Sequence, residues 1–194
     1  MKNLLAFLIF AAASVLLGIG SARNMVENGF SFVVGQAGPW KTWIRAGAAA
    51  ADPYTRAHFA RTGELPITSA SGLTFFAHED DEGERLSSEC EYEIVSRPIT
   101  ALWWTIAVYD EDGKLIPNKA NRYAFSNQNL TVLPDGTQRV TLAPTARPGY
   151  WLPSGEDSNL TLLLHIIRPL SLEQQQNQQA VAPQDLPRIR KVGC

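Results

Sequence analysis

His58, His78 and His165 are the only histidines in the chain, and an imidazole is the side chain best suited to move a proton near neutrality. No two of them stand at a metal-binding interval, so the sequence predicts no metal site. His165 lies inside Leu162-Leu163-Leu164-His165-Ile166-Ile167, where a partly buried, hydrogen-bonded ring is expected. His78 borders an acidic turn, and pairing with a carboxylate there would suit proton transfer. That turn, Glu79-Asp80-Asp81-Glu82-Gly83-Glu84, gathers oxygen donors of the kind a hard cation takes. It lacks the spacing of a calcium loop and reads as a solvated hairpin tip. No glycine-rich phosphate loop follows a strand, and no Gly-x-Ser-x-Gly elbow is present. Cys90 has no evident histidine base for nucleophilic work. The sequence predicts no catalytic residue and no cofactor.

A binding role has better candidates. Asn121-Arg122-Tyr123 closes a loop and begins a strand, and Arg147-Pro148-Gly149-Tyr150-Trp151-Leu152-Pro153 is read as a loop with an arginine and two aromatics. Asn121, Arg122, Tyr123, Arg147, Tyr150 and Trp151 together suit a small anionic or amphipathic ligand: guanidinium for a carboxylate, rings for an apolar body. The competing reading is structural, with Arg122 paired to Asp110 or Asp112 and Trp151 plugging an open end of the fold. An enzyme acting on a small metabolite or envelope component would instead need His78, Asp110, Arg122 and Arg147 to converge within contact distance.

Strand-like segments must hold these groups. From about Gly72 to Pro169 the chain is rich in short apolar runs separated by turn residues. Cys90, Tyr92 and Ile94 alternate with Glu89, Glu91 and Glu93, which predicts a strand with one wet face. Leu102 to Tyr109 and Asn159 to Arg168 are apolar on both faces and read as covered strands. Trp103 and Trp104, being adjacent, must point to opposite faces. Leu73 to His78, Arg122 to Ser126, Leu130 to Leu133 and Arg139 to Ala143 supply further strands, with turns at Asp112-Gly113 and Asp135-Gly136. Roughly seven or eight short strands imply a sandwich or barrel. Before them, Pro39 to about Ala51 reads as a helix with Trp40, Ile44 and Ala48 on one face. Asp52-Pro53 then caps a short helix that Gly63 ends. The glutamine-rich stretch Glu173 to Ala180 reads as a solvated connector. The basic tail around Ile189 either joins a sheet edge or is disordered.

The N-terminus sets the compartment. Lys2 precedes an apolar run from Leu4 to Ile19, followed by Gly20-Ser21-Ala22-Arg23. Roughly 16 residues make about 24 Å of helix, short of a bilayer core of about 30 Å unless the small residues are counted. Residues 1–22 are thus a signal anchor or a cleavable signal peptide. Residues 23–66 follow as a membrane-proximal helical segment, and residues 67–194 as the β domain. Phe30, Phe32, Val33 and Val34 lie against either the membrane surface or the domain. With 17 basic and 19 acidic residues and a net charge of −2, nothing favours nucleic acid. No protein partner is identifiable. Cys90 and Cys194 are the two cysteines. In an oxidising compartment they can form a disulfide closing a loop of roughly 100 residues, worth roughly 4–5 kcal/mol; two free thiols are the alternative.

Trp103-Trp104-Thr105-Ile106-Ala107-Val108-Tyr109-Asp110 with Gly113, Asn121-Arg122-Tyr123, Pro148-Gly149-Tyr150-Trp151-Leu152-Pro153, Gly38-Pro39-Trp40 and Ala51-Asp52-Pro53-Tyr54 together resemble the DUF1214 family of bacterial envelope proteins. The resemblance covers most of the chain after residue 35. It implies a mainly β, jelly-roll-like β-sandwich with short N-terminal helices and a hydrophobic N-terminal helix. It is to a short form lacking the DUF1254 domain that precedes this one in larger relatives. The expected location is the bacterial inner membrane with the domain facing the periplasm, or the periplasm itself after cleavage. The family has no established reaction, so no catalytic residue is carried over. Tyr150 stands where many relatives have Asn before the Trp.

Overall fold

The computed structural model describes residues 2–68, 71–111, 113–156, 159–169 and 186–194. The glutamine-rich stretch Glu173 to Ala180 lies outside them. An apolar helix α1 (Lys2–Asn28) leads into a hairpin of β1 (Val34–Ala37) and β2 (Trp40–Trp43), then helix α2 (Pro53–Thr62). The strands β3 (Gly72–Ala77), β4 (Glu91–Ser96), β5 (Ala101–Asp110), β6 (Ala124–Ser126), β7 (Gln138–Ala143), β8 (Trp151–Pro153), β9 (Leu160–Pro169) and β10 (Arg188–Gly193) follow. They form a six-stranded sheet in the order β1-β2-β3-β9-β5-β6 and a four-stranded sheet in the order β10-β4-β7-β8.

Period-two alternation decides which side chains enter the core. Phe75 and Ala77 of β3, Trp104, Ile106 and Val108 of β5, and Leu160, Leu162, Leu164 and Ile166 of β9 are buried from the six-stranded sheet. They meet Tyr92, Ile94, Val140, Leu142, Leu152 and Ile189 of the other sheet in one apolar cluster. Such face-to-face packing of two sheets is a sandwich. Trp40 also reaches this core, its Nε1 donating to the Pro187 carbonyl at 2.6 Å.

A second, smaller cluster lies on the outer face of the six-stranded sheet. Val33, Val34 and Trp43 are buried there with Phe59 and Phe76 against them. Phe59 comes from α2, which therefore covers part of that face. The helix has the expected ends: Asp52 Oδ1 accepts from the Tyr54 and Thr55 amides, each at 3.0 Å, and Gly63 closes it at φ 72°. These contacts satisfy amides and carbonyls that have no partner within the helix.

The structure corrects four expectations. Residues 39–51 are not a helix: Trp40–Trp43 is a strand paired to β1, followed by turns. The turn between them is Gly38-Pro39, with Gly38 at φ 60°. Glycine tolerates that angle, as the tight hairpin turn requires, and proline fits the position after it. Leu130 to Leu133 is a loop, with Leu130 buried in the core and Val132 exposed. Residues 151–153 are not loop but strand β8, which pairs in parallel with β7. Leu102 to Tyr109 is not covered on both faces: Trp104, Ile106 and Val108 are buried inward, Trp103, Thr105 and Tyr109 on the opposite face are half-buried, and Leu102, at the end of the inward row, is exposed. The basic tail around Ile189 is β10, paired to β4 at the sheet edge with Ile189 in the core. Beside it, Cys90 and Cys194 are joined in a disulfide across a sequence separation of 104.

Candidate functional site

Arg122 is aimed by its loop. Asn118 folds that loop on itself: its Nδ2 donates to the Ile116 carbonyl at 3.2 Å and to the Arg122 carbonyl at 3.0 Å, while its Oδ1 accepts from the Arg122 amide at 3.1 Å. Asn121 completes the turn at φ 48°, a left-handed angle that asparagine tolerates better than most residues. The half-buried Arg122 then reaches β8, where its Nη1 donates to the Trp151 carbonyl at 2.9 Å. Its guanidinium carbon lies 5.7 Å from the Phe125 ring centre and 5.8 Å from that of Trp151. Both are within cation–π range.

The aromatic groups are held in turn. Trp151 Nε1 donates to the Ala143 carbonyl at 2.9 Å. Tyr150 meets Phe125 edge-on at 5.7 Å and bonds Thr131, hydroxyl to hydroxyl at 2.7 Å. Arg122, Tyr150 and Trp151 therefore make one half-exposed cationic and aromatic surface, backed by the buried Phe125 ring. Its guanidinium holds a neutral carbonyl here, leaving N–H donors that suit a carboxylate.

Of the residues singled out in the sequence, Arg122, Tyr150 and Trp151 come together, with Asn121 shaping the turn. Tyr123 contributes a backbone acceptor, taking the Val108 amide at 3.4 Å. Arg147 turns elsewhere: its Nη2 lies 2.7 Å from Glu91 Oε2 on the four-stranded sheet, and its Nη1 donates to Thr145 at 2.7 Å. Phe125 is the member that motif reading missed. Its strand position three residues beyond Arg122 was the available signal, since the two ends of so short a segment stay close.

The histidines divide between two settings. On the outer face of the six-stranded sheet, His165 Nδ1 lies 3.0 Å from Thr74 Oγ1, and His78 Nδ1 lies 2.9 Å from Thr161 Oγ1. The register sets Thr105 beside His165 and Tyr109 beside Thr161. Burial holds His165 below the ordinary imidazole range. Burial does the same to His78, assisted by Lys41 and Arg85 and opposed by Glu79. Burial, with Glu64 nearby, raises Tyr109. His58 is different. It stacks on Trp43 with centroids 4.2 Å apart, and its Nδ1 lies 2.9 Å from the Val26 carbonyl at the end of α1. A carbonyl can only accept, so the proton sits on Nδ1.

The acidic turn spends its carboxylate on itself. Asp80 Oδ1 accepts from the Glu82 and Glu84 amides at 3.0 and 2.9 Å, and the Asp81 amide donates to Ile189 of β10 at 2.9 Å. Among the described residues, no group of three His, Cys, Asp or Glu side chains is placed to hold a metal ion.

Comparison with known proteins follows the same outline. The crystal structure of the VPA0106 protein of Vibrio parahaemolyticus superposes with a TM-score of 0.60 at 14% identity, over 95% of this chain and 45% of that one. An uncharacterised protein from Burkholderia cenocepacia gives a TM-score of 0.47 at 17% identity, over 88% of this chain and 39% of that one. The chain thus spans less than half the length of these two structures, and the first likeness speaks to fold alone. No curated protein matches the chain. The family model described as "Protein of unknown function (DUF1214)" matches residues 71–171, from the start of β3 to just past the end of β9. That is more than half of the sequence, and the chain belongs to the DUF1214 family.

Proposed function

We propose that this chain is a cell-envelope domain, held at the bacterial inner membrane by α1 with its jelly-roll-like β-sandwich on the periplasmic side, and that it binds or scaffolds rather than catalyses. The observation that carries this reading is α1 itself. It has 27 residues, none of them buried, and exposed Leu4, Phe7, Phe10, Leu16 and Leu17 surround it. From Leu4 to Ile19 the helix is apolar all round and exposed, and such a surface calls for lipid. The disulfide supports an oxidising location. If the segment were cleaved after Ala22, the same domain would be free in the periplasm.

The ligand we assign to this domain is a small anionic or amphipathic molecule, bound at Arg122 with Tyr150 and Trp151. A carboxylate would replace the Trp151 carbonyl as partner of the guanidinium, and the half-exposed Tyr150 and Trp151 rings would take the apolar part. Native mass spectrometry of the full chain extracted from its own membrane fraction tests this. The expected result is a retained small-molecule adduct that Arg122→Ala removes. An adduct unchanged in that variant would place the binding elsewhere, and a bare chain would leave the scaffold role.

A further inference from the structure

The junction between α1 and the sandwich is tightly fixed. Glu27 of α1 pairs with Arg61 of α2 at 2.8 Å and with Arg23 one turn earlier at 2.9 Å. His58 of α2 reaches the Val26 carbonyl. The chain leaves the helix at Gly29, whose φ is 68° and whose amide donates to Met25 at 3.0 Å. A methyl group there would collide with Val34, so glycine is required both by angle and by space. Four residues then divide sharply. Val33 and Val34 are buried in the domain, while Phe30 and Phe32 are 46% and 65% exposed and stack on each other at 6.0 Å.

The strand register carries this end across the six-stranded sheet. Val34 lies beside Trp43, Lys41 beside Phe76, Gly72 beside Ile167, and Ile167 beside Trp103. Ile44 follows Trp43 and is exposed; Leu102 precedes Trp103 and is 59% exposed. Phe30, Phe32, Ile44 and Leu102 therefore mark the same end of the sheet. The far end of β5, where Tyr109 pairs with Leu115, is about 20 Å away at the rise of a strand.

Helix length puts that end at the lipid. A 27-residue helix is about 40 Å long, against a hydrocarbon core of about 30 Å. Its last turns, with Arg23 and Glu27, then stand in the headgroup layer, and residues two to four further on cannot be far from it. Exposed phenylalanine, isoleucine and leucine gain free energy by entering the boundary between headgroups and acyl chains.

We propose that Phe30, Phe32, Ile44 and Leu102 form a membrane-contact edge, which lays this end of the sandwich on the leaflet from which α1 emerges. Its occupant is the phospholipid bilayer surface. The inference rests on α1 remaining in the membrane, as read above. It holds the domain upright, with the Tyr109 end pointing away from lipid.

The test uses the full chain reconstituted in phosphatidylcholine–phosphatidylglycerol vesicles, with and without brominated acyl chains. Phe32→Trp, Leu102→Trp and Leu115→Trp are each compared with the parent chain. Tryptophan added at 32 and at 102 is expected to show about twofold or greater quenching by brominated lipid than tryptophan added at 115, with blue-shifted emission. Vesicle flotation is read on the same samples. Chains that float but show equal, weak quenching at all three positions overturn the contact edge and leave the anchor standing. Chains that do not float overturn both.

Discussion

In the six-stranded sheet, β9 lies between β3 and β5 and pairs with both along most of its length. Its inward row Leu160, Leu162, Leu164 and Ile166 is at most 2% exposed. The four-stranded sheet is arranged otherwise. Its edge strand β10 ends beside a disulfide to Cys90, and Arg139 and Arg147 face Glu93 and Glu91 on β4. One sheet is held chiefly by buried apolar area, which is the dominant favourable term in folding. The other adds a covalent closure at its edge and ion pairs on its wet face, the latter partly exposed and weak. The sheet held by burial also carries the apolar helix α1 at one end and, in the loop that leads into β6, Arg122 of the cationic and aromatic surface. The clamped sheet supplies Trp151 and the backbone acceptor that Arg122 uses. The two must therefore keep their relative position for that surface to exist.

Three perturbations separate these modes of support. Cys194→Ser should have the largest effect, about 4 kcal/mol by the loop-closure relation. Amide exchange should show β10 losing protection before β9 does, whereas simultaneous loss in both strands would mean that the clamp serves the whole sandwich. Leu164→Ala should cost about 3 kcal/mol through the cavity it leaves. Here denaturant unfolding should remain one transition, because Leu164 belongs to the core that both sheets share. The smallest effect should come from pH. Burial lowers His78 and His165 below the ordinary value of 6.5, so the unfolded chain takes up their protons first. Stability should fall as pH drops through 6.5 and level off below the folded values. A His78→Gln, His165→Gln double variant should flatten that slope in denaturant titrations at stepped pH. An unchanged slope would assign it to other groups.

What could be read from the sequence followed the range of the interactions involved. Asp52-Pro53 and Gly63 marked α2 correctly because capping is settled within a few residues. The alternation Cys90, Tyr92, Ile94 gave β4 for the same reason. Trp40 to Trp43 misled because Trp40, Ile44 and Ala48 fall at helical spacing by coincidence, while Gly38-Pro39 was the hairpin signal. β8 escaped notice since a short parallel partner is set by β7, far from the local pattern of Tyr150 and Trp151. The outer face of β5 looked covered because Trp103, Ala107 and Tyr109 leave Thr105 as its one polar position, yet Trp103, Thr105 and Tyr109 are only half-buried there, and how much of a face its neighbours cover is not written in the strand itself. Of the candidate site, Arg122, Tyr150 and Trp151 were legible as residue types. The departure of Arg147 to Glu91 was not, since it depends on how the loop crosses the four-stranded sheet.

The central claim is that α1 delivers a disulfide-bearing β-sandwich to the far side of the inner membrane. Its most direct test fuses alkaline phosphatase and, separately, a fluorescent protein that matures only in the cytoplasm after Cys194 of the full chain. The account predicts phosphatase activity in the membrane or periplasmic fraction and no fluorescence. A fluorescent, phosphatase-inactive pair would contradict it.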